Sequence, residues 1–230
     1  MATLPAYRGQ GLMRELSHHV YTDVDTEKFK LSFGFSNAAG VRVDRNSRNY
    51  GYSVIGQFRT FYSWVGWRTS TTLTWRVSDH FVELNQQLPE VFFLDQTPQH
   101  LDWRYIHKPE ASYTILDMLD GKNIVTQVIL KQNKSSVNIF KLVWNKKLED
   151  PKVMQQVIST IKDYVAQSYR LVSMMVIENA FWKKVLKDGW WPRLTQQQFF
   201  LTVKPHSALP AKKVDVLNVD EWRVMGGDLL

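Results

Sequence analysis

The stretch Leu4-Pro5-Ala6-Tyr7-Arg8-Gly9-Gln10-Gly11-Leu12-Met13 joins the end of a predicted strand to the start of a predicted helix. Gly9 and Gly11 allow the backbone to turn sharply and to approach a ligand closely. The first amides of a helix have no partner inside the helix, so together with the helix dipole they form a site for a phosphate group. Arg8 adds a guanidinium that can bind phosphate through two hydrogen bonds. The alternative is a glycine-containing turn that only precedes an amphipathic helix.

The hydrophobic pattern around this loop predicts a chain in which helices and strands alternate. A helix is predicted over residues 10–28, with Leu12, Leu16 and Val20 recurring along one face. Asp150-Pro151 marks another helix start, since Asp is a favoured N-cap and Pro is favoured at the first helical position. Strands are predicted at residues 30–35, 52–65, 113–118, 124–130, 137–144, 171–177 and 197–203, and a short helix at 179–187. The predicted fold class is therefore α/β.

A weak internal repeat predicts two related α/β units. A helix, a strand, Asn-Ala and then Gly with an aromatic residue occur twice, first with Asn37-Ala38 and Gly51-Tyr52 and then with Asn179-Ala180 and Gly189-Trp190. The region between residues 66 and 108 is predicted to be a connector with some helix. The sequence thus divides into a first unit with its connector at 1–100 and a second unit at 101–230.

The composition excludes several classes of protein. The chain has 230 residues, of which 44% are apolar and 22% charged, as in globular domains rather than disordered or coiled-coil chains. It has no cysteine, which excludes disulfide scaffolds, thiol catalysis and cysteine-based zinc sites. No run approaches the roughly 18 apolar residues of a membrane helix, so no membrane insertion is expected. No charged and apolar leader follows Met1, and the expected location is cytoplasmic.

The net charge of +7 favours anionic partners, although a soluble basic surface explains it equally well. No nucleic acid is expected as a partner, because the basic residues are scattered and no recognition motif is present. No metal is expected at His18-His19, which lacks further metal-ligating neighbours. Asp79-His80 is not expected to form an acid–base pair, because adjacent side chains of a strand point to opposite faces.

The stretch Arg8-Gly9-Gln10-Gly11-Leu12-Met13 closely resembles the acyl-CoA-binding loop of the GNAT-superfamily N-acyltransferases. That loop has Arg or Gln, two residues, Gly, one residue, and Gly or Ala, and Met13 departs from its last position. Phe33-Gly34-Phe35-Ser36-Asn37 is similar to the element that follows the family's fifth strand, in which Asn37 matches a residue that usually contacts the cofactor side. Gly51-Tyr52 is similar to a Gly-aromatic pair of the family. Segments 101–109 and 222–228 are similar to parts of two-unit bacterial members.

The resemblance implies a mixed, mostly antiparallel sheet flanked by helices, arranged as two GNAT-like units. It implies transfer of an acetyl or other acyl group from acetyl-CoA, the co-substrate, to an amine of a small molecule or an amino sugar. The residues expected to contact acyl-CoA are Arg8, Gly9, Gln10, Gly11, Leu12 and Asn37. Several strands and helices precede this loop in the family, so the first unit is expected to be incomplete. An open sheet edge of that kind favours association into a homo-oligomer.

The catalytic residues stay unassigned in this comparison. The family's usual acid is a Tyr a few residues before the Gly of the Gly-aromatic pair, and Ser47 stands at that position. The second unit has no glycine-rich loop, since residues 145–150 precede its helix instead, so it is expected to bind no CoA and to act as a scaffold or acceptor-site wall. The alternative to an active enzyme is an inactive GNAT-like remnant that acts as a binding or structural module.

Overall fold

The computed structural model describes residues 5–7, 9–22, 31–45, 50–66, 71–84, 90–108, 112–193, 198–206 and 215–229. The strands in these residues are β1 (Leu31–Asn37), β2 (Ser53–Trp64), β3 (Thr74–Ser78), β4 (Tyr113–Asp120), β5 (Asn123–Gln132), β6 (Val137–Leu142), β7 (Leu171–Ile177), β8 (Trp191–Arg193) and β9 (Phe199–Pro205). The helices are α1 (Leu12–Thr22), α2 (Ala38–Asp44), α3 (Pro98–Leu101), α4 (Pro151–Val165) and α5 (Ala180–Val185), and α3 continues as a π-helix over Asp102–Ile106.

The strands form one continuous sheet in the order β1-β9-β2-β7-β6-β5-β4-β3, with β8 beside β2. Neighbouring strands are antiparallel except β6 and β7, which are parallel. The predicted α/β class, with a mostly antiparallel sheet flanked by helices, is therefore confirmed. The boundary at residue 100 stays a prediction, and strands from both sides of it share this sheet.

The long strand β2 has a different partner along each half of its length. Residues 53–57 pair with β9, and Phe58–Trp64 pair with β7 in continuous register from Ile177 to Leu171. Aromatic and β-branched residues dominate β2, which is the composition that suits a pleated and half-buried surface. Since β9 also pairs with β1, the strand β2 links β1 to the centre of the sheet through β9.

The helix α4 contributes the apolar face that its sequence predicts. Its buried apolar residues recur at helical spacing and join the main hydrophobic core with strands β4 to β7; they are Met154, Val157, Ile158, Ile161 and Val165. Fully burying a side chain of this size contributes roughly 1.5–3 kcal/mol to stability. Helix α5 adds Trp182, which is 1% exposed, to the same core.

The helix α1 differs from α4 because its apolar residues face solvent. The side chains of Leu12 and Leu16 are 43% and 55% exposed. An apolar face of this kind is usually buried against a neighbouring element, and these two side chains are not. Helical spacing decides which residues share a face, whereas burial needs a neighbouring element, and the described part of the chain places none over this face.

The two Asn-Ala segments begin helices in the same way. Oδ1 of Asn37 at the start of α2, and Oδ1 of Asn179 at the start of α5, each accept a hydrogen bond from the amide three residues later. Gly51 and Gly189, which follow the two helices, both have a left-handed φ of 66° and 70°. The repeat seen in the sequence thus has a matching backbone, while the two-unit arrangement stays a prediction.

The C-terminal segment, residues 224–229, lies between β6 and β7 where these strands diverge. The parallel pairing covers only residues 137–139 and 172–174. Beyond it, Met225 forms an antiparallel bridge with Val176, and the carbonyl of Val224 accepts a hydrogen bond from the Ile177 amide. We call the space between the diverging strands the β6–β7 wedge, and the chain's own C-terminal segment fills it.

We expect Gly227→Ala to lower the free energy of unfolding by about 1–3 kcal/mol, the usual cost of overpacking a core. A Cβ at Gly227 would lie 2.7 Å from the carbonyl oxygen of Phe140, a backbone atom of β6 that cannot move alone. Gly40→Ala, inside α2, is the control, since its Cβ would meet only side-chain atoms of Ser36 and Asn37, at 3.4 Å or more. There Ala is expected to add about 0.5–1 kcal/mol. Urea unfolding measures both changes, and an unchanged midpoint for Gly227→Ala would contradict the packing of the wedge.

Candidate functional site

The glycine loop, residues 9–12, has the backbone that its sequence predicts. Gly9 and Gly11 have φ values of 78° and 74°, in the left-handed region that L side chains rarely adopt. The carbonyl of Gly11 accepts hydrogen bonds from the Arg14 and Glu15 amides at 2.9 and 3.1 Å, so α1 begins directly after it. The loop is exposed, and no described atom lies within 4 Å of a Cβ built on Gly9. A ligand therefore has room to approach the loop backbone.

Gln10 and Asn37 are predicted site residues that the structure describes. Arg8 and Ser47 lie outside the described residues. Gln10 donates a hydrogen bond from Nε2 to the Ala6 carbonyl at 3.0 Å, which closes the loop on itself. Asn37 is exposed at the end of β1, where it caps α2. The hydrogen bonds described for the glycine loop and for Asn37 are local, and none of them joins the two.

The start of α4 is less suited to bind an anion than the start of α1. The side chain of Asp150 accepts a hydrogen bond from the Lys152 amide at 2.9 Å, and Pro151, the first residue of α4, has no N–H to offer. A carboxylate therefore already stands at this helix start, where it opposes a second negative group. Asn145, which lies before the short helical turn at residues 146–149, is buried and accepts a hydrogen bond from the Lys147 amide. These residues are used for capping.

A buried ion pair holds the C-terminal segment in the β6–β7 wedge. Lys141 on β6 pairs with Asp228, and their side chains are 4% and 3% exposed. The second carboxylate oxygen of Asp228 accepts a hydrogen bond from the Met225 amide at 2.8 Å. Sequence reasoning missed Lys141, because a single lysine in a strand usually faces water.

The π-helical segment also contacts the wedge. The carbonyl of Gly227 accepts hydrogen bonds from Tyr105 Oη at 3.1 Å and from Arg104 Nη2 at 3.0 Å. Tyr105 is buried, and burial raises its pKa, so the phenol stays protonated as a donor. The C-terminal segment in the wedge is thus hydrogen-bonded to β6, to β7 and to the segment after α3.

Lys162 on α4 is partly buried against the end of β2. Its Nζ lies 2.7 Å from Ser63 Oγ and 4.8 Å from the centre of the Trp190 ring. Burial lowers the pKa of Lys162. Ser63 is 1% exposed and donates its hydroxyl to the Gly189 carbonyl. This arrangement fits a structural polar cluster better than a nucleophile, since a substrate cannot reach the hydroxyl.

Asp79 and His80 contact each other, so the expectation that they point apart is wrong. The strand β3 ends at Ser78, and the pair lies in the bend that follows it. Nδ1 of His80 lies 2.7 Å from Asp79 Oδ1, and both side chains are exposed. The hydrogen bond from His80 lowers the pKa of Asp79. Strand alternation does not apply outside a strand, and the contact is a local feature of the bend.

The described residues contain neither a candidate metal site nor a helix that could span a membrane. Their His, Asp and Glu side chains form no group of three or more that could hold a metal ion. None of the helices that the structure describes has the length and apolar run needed to cross a bilayer.

No protein-family model matches the sequence, and no curated protein is detectably similar to it in sequence. Solved structures are similar in shape. A GCN5-related N-acetyltransferase from Anabaena variabilis ATCC 29413 gives a TM-score of 0.59 at 14% identity, over 87% of this chain and 52% of that one. A probable N-acyltransferase from Enterococcus faecalis V583 gives 0.62 at 11% identity, over 89% and 52%. A GCN5-related N-acetyltransferase from Kribbella flavida gives 0.53 at 13% identity, over 89% and 50%.

The chain has the GNAT fold. The likeness rests on backbone shape, because 11–14% identity leaves few shared residues. The chain spans about half the length of these three structures. The GNAT fold is the fold of the family that the glycine loop resembles. The two likenesses have different grounds, because one rests on backbone shape and the other on residue types.

Removing one partner of the Lys141–Asp228 pair is expected to lower the free energy of unfolding by about 3–5 kcal/mol, because it leaves an uncompensated buried charge. Lys141→Met and Asp228→Asn are the single variants, and Asn keeps an oxygen for the Met225 amide. The double variant carries no buried charge, so its loss is expected to be smaller than the sum of the single losses. Urea unfolding of all four chains gives the coupling. Additive losses would show that the two groups do not interact.

The pH dependence of stability is expected to report the burial of Lys162. Its pKa is lower in the folded chain than the ordinary value of 10.5, so the unfolded state binds the proton more tightly. The resulting penalty is complete below the folded pKa and disappears as pH rises to the unfolded value. The stability of the natural chain relative to Lys162→Met is therefore expected to increase as pH rises from neutral toward 10.5. Lys134→Met, at an exposed turn position, corrects for the loss of one lysine. A relative stability that falls with pH would contradict this reading.

Proposed function

We propose that the chain is an N-acyltransferase that moves an acetyl or other acyl group from coenzyme A to an amine of a small molecule or amino sugar. One observation carries the proposal: an exposed loop with two left-handed glycines opens a helix in a chain with the GNAT fold. The positive φ at Gly9 and Gly11 explains why glycine stands at both positions.

The proposed binding roles follow from the chemistry of the loop. Backbone amides of Gly9, Gln10, Gly11 and Leu12 would donate to the pyrophosphate of acyl-CoA, with the positive end of the α1 dipole behind them. The guanidinium of Arg8 would add a charge-assisted contact to the same group. Asn37 would approach the cofactor from the end of β1. Acyl-CoA supplies the activated acyl group when it is bound.

Acyl transfer to an amine also needs proton transfers. A base removes a proton from the ammonium of the acceptor, and an acid delivers one to the departing thiolate. A backbone N–H near Thr3-Leu4 would polarise the thioester carbonyl. Ser47 stands where the family has its usual acid, and the buried Tyr50 is out of register with it. We leave the acid and the base unassigned.

The expected setting of this activity belongs to the same proposal. We propose a cytoplasmic enzyme without a nucleic-acid partner. We also propose that it associates with a second copy of itself, because β1 is an edge strand of the described sheet and its Phe33 is exposed. The division into a CoA-binding unit at 1–100 and a second unit at 101–230 is proposed on the sequence repeat.

The second candidate function is a binding or structural module that has the GNAT fold without the chemistry. Two observations on the second half of the chain favour it: the C-terminal segment fills the β6–β7 wedge, and Asp150 caps α4. Neither feature leaves an anion site there. Turnover distinguishes the two candidates, because both allow CoA to bind at the glycine loop.

We expect acetyl-CoA at about 100 times its dissociation constant to add roughly 2.7 kcal/mol to the stability of the natural chain. Gly11→Ala is expected to remove most of this gain. Alanine disfavours the left-handed φ of this position, so the substitution would move the loop amides. Gly121→Ala is the matched control: its φ is 59° in the β4–β5 turn, so it carries similar backbone strain far along the sequence from the loop. Thermal unfolding with and without acetyl-CoA measures each gain. An equal gain in both variants would place the cofactor elsewhere.

Arg8→Ala tests the charge contact in the same assay, with Arg170→Ala as an exposed arginine control. Arg8→Ala is expected to weaken acetyl-CoA binding about tenfold, in line with one lost charge-assisted hydrogen bond. A screen of amines for release of free CoA then separates the candidates. Binding without release for any amine supports the module, and absence of binding contradicts the acyltransferase.

A further inference from the structure

A cavity of about 380 Å³ lies at the carboxyl end of β6. Its walls are residues 82–84, residues 93 and 95–98, and residues 143–145. None of these residues belongs to the glycine loop or to the C-terminal segment. The volume lies within the range of small-molecule sites, about 300–1,000 Å³. The cavity is therefore large enough for a small organic ligand.

The buried floor of the cavity is mostly apolar, with Asn145 as its polar residue, and the mouth is charged. Val143 and Trp144 are buried, and Leu84 and Phe93 form half-buried walls. Glu83 and Asp95, in contrast, are exposed. A ligand that fits this gradient has an apolar body that enters first and a polar end that stays near solvent.

The walls are fixed to the sheet by hydrogen bonds. The side chain of Gln96 accepts from the Trp144 amide and donates to the Trp144 carbonyl, which ties the segment before α3 to the end of β6. On the opposite wall, the amide of Val82 donates to Oε1 of the buried Gln127 at 2.9 Å. A site whose walls are already ordered loses less entropy when it binds a ligand.

The charge of the mouth is negative, although the chain carries a net charge of +7. Glu83 and Asp95 line the cavity, and its described lining contains no Lys, Arg or His. Asp95 accepts a hydrogen bond from the Thr97 amide at 2.9 Å, which lowers its pKa and keeps the carboxylate ionised at neutral pH. The mouth therefore attracts a cation and repels an anion.

We propose that this cavity binds a small organic cation with an apolar body, such as a primary amine carried by an aromatic or hydrocarbon group. The ammonium lies at the mouth beside Glu83 and Asp95, and the apolar body contacts Phe93 and Val143. Binding requires neither CoA nor the acyl transfer proposed above.

Three compounds with one ring and different charge test the proposal: phenethylamine, phenethyl alcohol and hydrocinnamate. Each is titrated into the full chain without acetyl-CoA and followed by calorimetry, so the outcome is independent of the proposed function. Each exposed charge pair changes affinity by about two- to fivefold, so the amine is expected to bind about tenfold tighter than the alcohol. Hydrocinnamate is expected to bind most weakly. Added salt is expected to weaken the amine alone.

The variant Glu83→Gln with Asp95→Asn is expected to remove the preference for the amine while leaving the alcohol unchanged. Both changes keep the size of the side chain, and Asn keeps an oxygen for the Thr97 amide. Asp120→Asn, an exposed residue of β4 outside the cavity lining, is the matched control. The proposal is overturned by undetectable amine binding at millimolar concentration, by equal affinities for the three compounds, or by a preference that the double variant retains. Salt dependence decides the question if the double variant unfolds.

Discussion

The antiparallel pairing of β2 with β7 joins the N-terminal and C-terminal parts of the chain into one sheet. Seven consecutive residue pairs hold it in register, from Phe58 with Ile177 to Trp64 with Leu171. The other edge of β2 receives β9, and β9 in turn receives β1. A shift of one residue in this register would turn every side chain of β2 to the opposite face. The position of β1, and with it the cap of α2, therefore depends on the register in which β2 pairs with β7 and with β9.

The N-terminal part of the chain leaves a helix start open, whereas the C-terminal part caps its helix start and fills the gap between its strands. The glycine loop near the N-terminus leaves its backbone exposed before α1. The second half places a carboxylate at the start of α4 and fills the β6–β7 wedge with its own residues. Lys141 and Asp228 make the filled wedge costly to open, since separation would leave two buried charges without partners. Among the described residues, the glycine loop and the cavity beyond β6 both leave space for a ligand.

Local features were predictable from the sequence, and the pairing of distant segments was not. The strands β5 and β7 and the start of α4 follow from apolar periodicity and from Asp150-Pro151, which act over a few residues. The left-handed glycines also follow from residue type. The insertion of β9 between β1 and β2 leaves no local trace, because it joins Leu31 to Pro205.

Side-chain partners in the site region were hidden for the same reason. The partner of Lys141 lies 87 residues away, and the negative cavity collects Glu83, Asp95 and Asn145 from three separate segments. The exposed face of α1 shows the converse limit, since periodicity marks an apolar face without supplying the element that covers it. Arg8 and Ser47 lie outside the described residues, so what is expected of them stays a prediction from the sequence.

The placement of β9 has a consequence for how the protein is made. A ribosome adds residues in order at about 5–20 per second, so β1 is synthesised roughly ten to thirty seconds before β9 reaches it. During that interval β1 and the first half of β2 have not met the strand that separates them in the finished sheet. Sheets with such distant pairings form slowly, and their early strands are exposed to other chains. The newly made N-terminal part is thus the part of the chain that chaperones most need to protect during synthesis.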